Sequence, residues 1–362
     1  MKKMILLIVS VFIVGSIFYL QSLKPKVNTI NDRSAEIPIV AAPVTEKSAV
    51  AVENKKEIMP SKKLNSQYPR AKEITTPAGF INTEKITVAE NIGKKVILVD
   101  FWTYSCINCQ RTTPYLNAWW EKYKDKGLLI IGVHTPEFAF EKEYQNVKTA
   151  VEKFGIKYPV VLDNDYGTWN AYGNRYWPRK YLIDINGQIV YDHIGEGFYD
   201  ETENKIQELL SVREEMVKPK DVVRVDEGQP RSPEIYFGAG RNLYLGNGLS
   251  QRLGQQTFKE PAGVKTNILY LAGDWDFSQE YAENKTANAK VIFRYQAKNV
   301  YFVAQAAEEN KISIFQDGQL IKSEIVKPAQ LYKLIEDKDY GEHTLEIQIK
   351  EPGLRAFTFT FG

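Results

Sequence analysis

Apolar residues along this chain fall into two textures. Between residues 96 and 212, short apolar runs alternate with stretches of helical period; beyond residue 290, apolar positions recur at every second residue. The run Val96-Ile97-Leu98-Val99-Asp100-Phe101 shows no alternation and predicts a strand covered on both faces. The stretch 106–126 places Leu116, Trp119, Trp120 and Tyr123 at i, i+3, i+4 and i+7, which predicts a helix. A second buried strand at 128–133, a helix at 141–154 and a short strand at 159–163 follow. A hairpin of 180–184 and 189–191 turns at Asn186-Gly187, and a helix at 201–212 closes the region. Strands alternating with helices, ending in a hairpin, predict an α/β fold with a mixed sheet covered by helices.

The second texture predicts strands at 291–296, 299–303, 311–315, 344–349 and 356–361, with a turn at Asp317-Gly318. Short strands at this spacing predict an all-β, jelly-roll-like sandwich. At the other end, Lys2 and Lys3 precede a largely apolar stretch at 4–20, with Lys24 and Lys26 beyond it. That length lies at the lower edge of what spans a bilayer and exceeds the usual apolar region of a cleaved signal. Residues 1–23 are therefore read as a membrane anchor or signal segment, an uncleaved anchor being favoured. Both readings send the body of the protein out of the cytoplasm. Residues 24–72 lack periodicity and are rich in Lys, Ala, Val, Pro, Ser and Glu, the composition of a flexible linker. The expected organisation is 1–23 anchor or signal, 24–72 linker, 73–217 α/β domain and 218–362 β-sandwich domain.

Charge narrows the functional classes. Lys and Arg number 47 against 45 Asp and Glu, a net +2 that argues against nucleic acid as a partner. The first 72 residues hold 12 basic against 5 acidic side chains, so the basic excess belongs to the segment nearest the expected bilayer. Aromatic residues at 12% suit a β-rich portion with large side chains to bury.

The chain has only two cysteines, in Cys106-Ile107-Asn108-Cys109, where the first buried strand gives way to a helix. At that position the first sulfur meets the orphan N–H groups and dipole of a helix N-terminus, which favour thiolate. No third cysteine exists for a structural bridge, so the pair is either a redox couple or half of a metal site. Asp100, six residues before Cys106, is the polar residue of the buried strand. A carboxylate there would lie beneath the dithiol in a dry setting and could exchange a proton with the inner thiol, or it simply caps a turn. Pro114 falls inside the helix and Pro178 immediately precedes the hairpin.

Phe101-Trp102-Thr103-Tyr104-Ser105-Cys106-Ile107-Asn108-Cys109 resembles the active-site segment of thioredoxin-like proteins of the DipZ type, relatives of the TlpA/ResA group. Gly132-Val133-His134-Thr135-Pro136-Glu137-Phe138 and Trp177-Pro178-Arg179-Lys180-Tyr181-Leu182-Ile183-Asp184 resemble two further signatures of that group. Ser232-Pro233-Glu234-Ile235-Tyr236-Phe237-Gly238 and the ending Phe357-Thr358-Phe359-Thr360-Phe361-Gly362 resemble the β-sandwich domain that follows thioredoxin in such proteins. The likeness covers roughly residues 75–362. It implies a thioredoxin-like fold and a thiol–disulfide oxidoreductase that reduces protein disulfides, cytochrome c maturation among the possible settings. It further implies Cys106 as nucleophile, Cys109 as resolving thiol, Asp100 as proton carrier, a cis bond before Pro178, and substrate contacts at Trp102, Tyr104, Trp177 and Glu137. Proteins of this type typically carry a multi-span electron-transferring membrane domain ahead of this region. Here one hydrophobic segment precedes it, so the expected donor is a separate membrane protein. The expected partners are disulfide-bearing proteins, that donor, and the bilayer through the N-terminal segment; no cofactor and no metal are called for.

Rival readings attach to particular residues. A copper or zinc site would draw on His134, His193 or His343, but zinc wants four ligands. His134 is equally read as a packing or hydrogen-bonding residue. A peroxidase would want a proline just before the nucleophile, and 96–109 holds none. Trp275, Tyr270, Tyr281, Tyr295 and Tyr301 are either an aromatic platform for sugar or sandwich core. Asn284-Lys285-Thr286 matches a glycosylation acceptor, a pattern common by chance.

Overall fold

The run without alternation, Val96–Trp102, is a strand with every residue buried, and a six-stranded mixed sheet is built around it. In chain order its strands are β1 (Gly79–Ile81), β2 (Val96–Trp102), β3 (Leu128–His134), β4 (Val160–Leu162), β5 (Arg179–Ile183) and β6 (Ile189–Ile194). In space the order is β1-β4-β3-β2-β5-β6. β3 runs parallel to β2 and β4 parallel to β3, while β1, β5 and β6 pair antiparallel with their neighbours. Four helices accompany the sheet: α1 (Ile107–Tyr123), α2 (Tyr144–Lys153), α3 (Gly167–Ala171) and α4 (Tyr199–Leu210). The structure, a computed structural model, describes residues 68–212, 214–219 and 231–362, which belong to one unit, Leu64–Gly362. The expected membrane segment at 1–23 and the linker as far as residue 67 lie outside the described residues. Among the described residues no helix is long and apolar enough to cross a membrane.

Period two sorts the side chains of β2 between the two faces of the sheet. Val96, Leu98 and Trp102 join Leu116, Trp119 and Tyr123 of α1 and Ile206 of α4 in one buried cluster. Ile97, Val99 and Phe101 join Val88, Trp169 and Tyr181 in another. Burying each such side chain contributes roughly 1.5–3 kcal/mol, which fixes the register of the strand. Asp100 has the parity of Leu98 and Trp102. The apolar pattern therefore carries this carboxylate to the α1 face, where Cys109 also lies.

Local departures from the sequence pattern have physical causes. The expected helix at 141–154 splits into a 3-10 turn, Ala139–Lys142, and α2. β1 and α3 were not expected; they are three and five residues long, too short for a periodic signal.

The C-terminal domain is all-β. Its strands are β7 (Ile235–Tyr236), β8 (Gly254–Phe258), β9 (Leu269–Phe277), β10 (Ala282–Asn284), β11 (Ala289–Ala306), β12 (Asn310–Gln316), β13 (Gln319–Val326), β14 (Gln330–Ile349) and β15 (Leu354–Phe361). They pair in the order β13-β12-β14-β11-β15-β10-β9-β8, with β7 on β15 and a further β11–β9 pairing that curls the sheet on itself. The expected strands 291–296 and 299–303 are one strand, β11, bent by register shifts at Ala297/Asn299 and Val300/Tyr301. β9 escaped the pattern because Gly273, Asp274 and Asp276 interrupt its apolar run. The interior holds Trp275, Tyr295, Phe293, Phe302 and Phe359. Tyr270 and Tyr301 are buried too, so of the two readings of these five aromatics the core one holds for four, and Tyr281 alone is half-exposed. Asn284 is buried as well, its amide bonded to Thr286 O and Glu351 O at 2.9 Å each, which takes it out of reach as a glycan acceptor.

Candidate active site

α1 begins at the dithiol. Cys106 holds an extended backbone (φ −79°, ψ 118°) as the N-cap, and its Sγ accepts from the Cys109 N–H at 3.4 Å. Both cysteines are free; Cys106 is partly exposed and Cys109 is buried. The pair thus presents one sulfur outward and keeps the other inside.

Beneath Cys109 lie two opposed charges. Asp100 on β2 is register partner to Lys180 on β5, and each is 1% exposed. Paired antiparallel residues share a face, so both side chains point towards α1. Burial pushes the Asp100 carboxyl up to about 7, against the pull of the Lys180 ammonium. Burial likewise pushes Lys180 down, against Asp100 and Cys109. The Cys109 thiol is driven well above its ordinary value by burial first, then by its hydrogen bond to Cys106 and by the charges of Cys106 and Asp100. Lys180 Nζ donates to Gly195 O at 3.1 Å, while Asp100 Oδ1 has no hydrogen-bond partner. Gly132 is the register partner of Asp100 on β3; a Cβ there would come within 3.0 Å of Trp102 Nε1 and 3.1 Å of the Tyr158 ring. Glycine is what lets β3 approach this packed site.

Arg111 sits one turn into α1 and is buried. Its Nε donates to Glu196 Oε2 at 2.7 Å and its Nη2 to Asn108 Oδ1 at 2.6 Å. The guanidinium thereby locks Asn108, one of the two residues between the cysteines, and lies close enough to Cys106 for the sulfur to favour its charge.

The remaining expected residues take varied places. Trp177-Pro178 is a cis peptide bond. Trp177 Nε1 donates to Thr135 O at 3.0 Å and its ring lies 4.3 Å from that of Trp169. Trp102, expected to touch substrate, is 2% exposed and packs in the core, edge-on to His134. Tyr104, also expected at the substrate, is buried with its hydroxyl donating to Ala329 O of the C-terminal domain at 3.2 Å. Glu137, the third such residue, turns its carboxylate to the C-terminal domain and accepts from Tyr236 Oη at 2.9 Å and Arg241 Nη1 at 2.8 Å. Tyr104 and Glu137 thus find hydrogen-bond partners in the C-terminal domain, while Trp102 is buried in the core with its Nε1 unpaired. His134 is fully buried, stacked 5.8 Å from Tyr104, with Nε2 3.5 Å from Thr103 Oγ1. Burial pushes its imidazole down to about 3, so it packs as a neutral ring. Among the described residues, no three His, Cys, Asp or Glu side chains cluster as a metal site.

Lys180, Arg111 and Glu141 were not anticipated. Glu141 is fully buried and accepts from Ser105 Oγ at 2.7 Å. A cavity of about 250 Å³ opens between Tyr104, Gln110 and Lys153 on one side and residues 328–331 on the other.

Residues 69–210 match the Redoxin family model, and 232–362 match a model described as Thioredoxin like C-terminal domain. The chain is 37% identical over 292 residues to protein DipZ of Mycobacterium bovis, an alignment covering 78% of this chain and 41% of that protein. The chain thus spans about two fifths of the length of the DipZ relatives it matches. It is 28% identical to the thiol-disulfide oxidoreductase YkuV of Bacillus subtilis, covering 39% of this chain and 95% of that one. It is 32% identical to the thiol-disulfide oxidoreductase ResA of Bacillus thuringiensis, covering 35% of this chain and 69% of that one.

Proposed function

The chain belongs to the ResA-like thiol-disulfide oxidoreductase family, and from that premise we propose that it reduces disulfides of protein substrates outside the cytoplasm, using Cys106 and Cys109. One observation carries this reading. A partly exposed Cys106 caps the helix, a buried Cys109 lies behind it, and the Asp100 carboxyl is raised to about 7 nearby. In the first step the Cys106 thiolate attacks a substrate disulfide; a mixed disulfide forms and one substrate thiolate leaves. Cys109 then passes its proton to the Asp100 carboxylate and attacks the Cys106 sulfur. The second substrate thiolate leaves, and two electrons have moved from the dithiol to the substrate. An acid poised near neutrality can take up that proton and later give it back. Lys180 keeps the carboxylate from being protonated too firmly. Trp177 and Pro178 are assigned, on resemblance, to the backbone that holds an extended substrate.

The reading extends to organisation. Residues 1–23 anchor or export the chain, 24–72 tether it, 73–217 carry the chemistry and 218–362 form the accompanying β-domain. The Lys-flanked apolar stretch at 4–20 supports the extracytoplasmic placement. Electrons arrive from a separate membrane donor.

The test uses the reduced full chain and a protein disulfide such as insulin. One Cys106–Cys109 disulfide is expected to form for each substrate disulfide reduced, and Cys106→Ser is expected to abolish the reaction. Reduction that leaves both thiols free would contradict the assignment.

A further inference from the structure

The 137–141 segment touches both the C-terminal domain and the loop that presents Cys106. On the outer side, Glu137 is bound by Tyr236 and Arg241, and Ala139 N donates to Glu280 Oε2 at 2.9 Å. The Phe138 and Phe140 rings lie 5.1 and 4.8 Å from that of Phe357. Four consecutive residues of the segment therefore dock onto the second domain.

On the inner side the same segment ends at Glu141. Its Oε2 accepts from Glu137 N at 2.6 Å and Phe138 N at 3.0 Å, tying the segment to itself. Its Oε1 accepts from Ser105 N at 3.2 Å and Ser105 Oγ at 2.7 Å. Ser105 immediately precedes Cys106, and Phe140 lies against Tyr104 at 6.0 Å. One buried carboxylate thus uses one oxygen for the docking segment and the other for the nucleophile loop. The mechanism above makes no use of it, although a fully buried carboxylate is expensive to maintain. Bonds from backbone N–H to an ionised carboxylate are among the stronger ones in proteins and hold both segments in one geometry.

We propose that Glu141 is a positioning residue for the nucleophile, coupling the docked C-terminal domain to the loop that sets where Cys106 sits. The inference rests on the oxidoreductase reading, because it concerns the reactivity of the same sulfur. It gives the second domain a part in the chemistry: undocking it loosens the segment, then Glu141, then the loop at 103–105.

The experiment compares the full chain with Glu141→Gln, Ser105→Ala and Arg241→Ala. Readouts are kcat and KM with a peptide disulfide, the pH profile of Cys106 alkylation, and the thermal midpoint. Glu141→Gln keeps the size but turns an N–H donor towards N–H donors. It is expected to lower kcat about tenfold with KM unchanged, the equivalent of one charge-assisted bond. Ser105→Ala removes a single donor and is expected to act in the same direction, by less; it decides the matter should Glu141→Gln not fold. Arg241→Ala, changed far from the sulfur on a half-exposed side chain, is expected to lower kcat and alter the alkylation profile as well. A parent chain inactive on the peptide disulfide would sink the oxidoreductase reading itself. An active parent matched within about twofold in kcat by folded Glu141→Gln, or by Ser105→Ala, would overturn only the positioning role. An unchanged Arg241→Ala would overturn the coupling to the second domain.

Discussion

Asp100 and Lys180 face one another across β2 and β5, both sealed from solvent, and both are displaced towards their neutral forms. A buried acid raised to about 7 beside a buried base lowered by the same burial can pass a proton without leaving an isolated charge in the interior. The resolving thiol lies within reach of both fields.

The rate of mixed-disulfide resolution is expected to rise with pH through about 7 and then level, as Asp100 ionises. Asp100→Asn is expected to remove that limb and slow resolution about a hundredfold, the lower range for a general base. Stopped-flow decay of a mixed disulfide across pH checks this. Stability should respond in the opposite sense. The folded chain holds this proton up to about 7, whereas an unfolded aspartate releases it near 3.8. The stabilisation is complete below the lower value and lost as pH rises through the higher one, so Asp100→Asn gains on the parent over that window, by on the order of 4 kcal/mol.

Lys180→Met removes the charge that pulls Asp100 down. The pH limb of resolution is expected to move upward from the parent's position. The same stopped-flow series reads it, and a limb that stays in place or moves down would assign the lysine a packing role only.

Cys109→Ser is expected to leave Cys106 joined to its protein partners as stable mixed disulfides, since nothing remains to displace them. Cys106→Ser is expected to trap none, because Cys109 is buried. Non-reducing gels of the captured complexes decide between the two, and equal yields would mean that the roles are assigned wrongly.

The helix that carries the dithiol is anchored at its far end. Trp119 Nε1 donates to Glu203 Oε2 at 3.1 Å and Tyr123 Oη to Glu203 Oε1 at 2.6 Å. Trp119→Phe keeps most of the buried ring but removes one of two donors to Glu203 Oε2, leaving Val217 N at 2.9 Å. The cost is expected to be about 1–3 kcal/mol in denaturant unfolding, with activity retained.

Much of the site was legible in the sequence because β2 is covered on both faces. A strand with no polar alternation makes its one carboxylate, Asp100, conspicuous, and the cysteines follow it directly. Lys180 was not legible: a lysine in the middle of a hairpin strand reads as a solvent-facing residue, and its burial comes from α1 and α4 folding over β5. Glu141 was hidden for a similar reason. An acidic residue at the expected start of a helix reads as a cap, whereas its partners, Ser105 and Phe138, come from the loop before α1 and the docking segment. Glu137, Trp102 and Tyr104 were placed at the substrate by resemblance, yet the second domain and the core claim them. The contacts that decide this come from Arg241, Tyr236 and Ala329, about 100 to 225 positions away in the chain.

The equilibrium between the Cys106–Cys109 dithiol and a glutathione buffer tests the central claim most directly, because it reports which way electrons run. A reductant predicts a reduction potential near that of thioredoxin, about −270 mV. A value near about −120 mV, that of a strong oxidant, would contradict it.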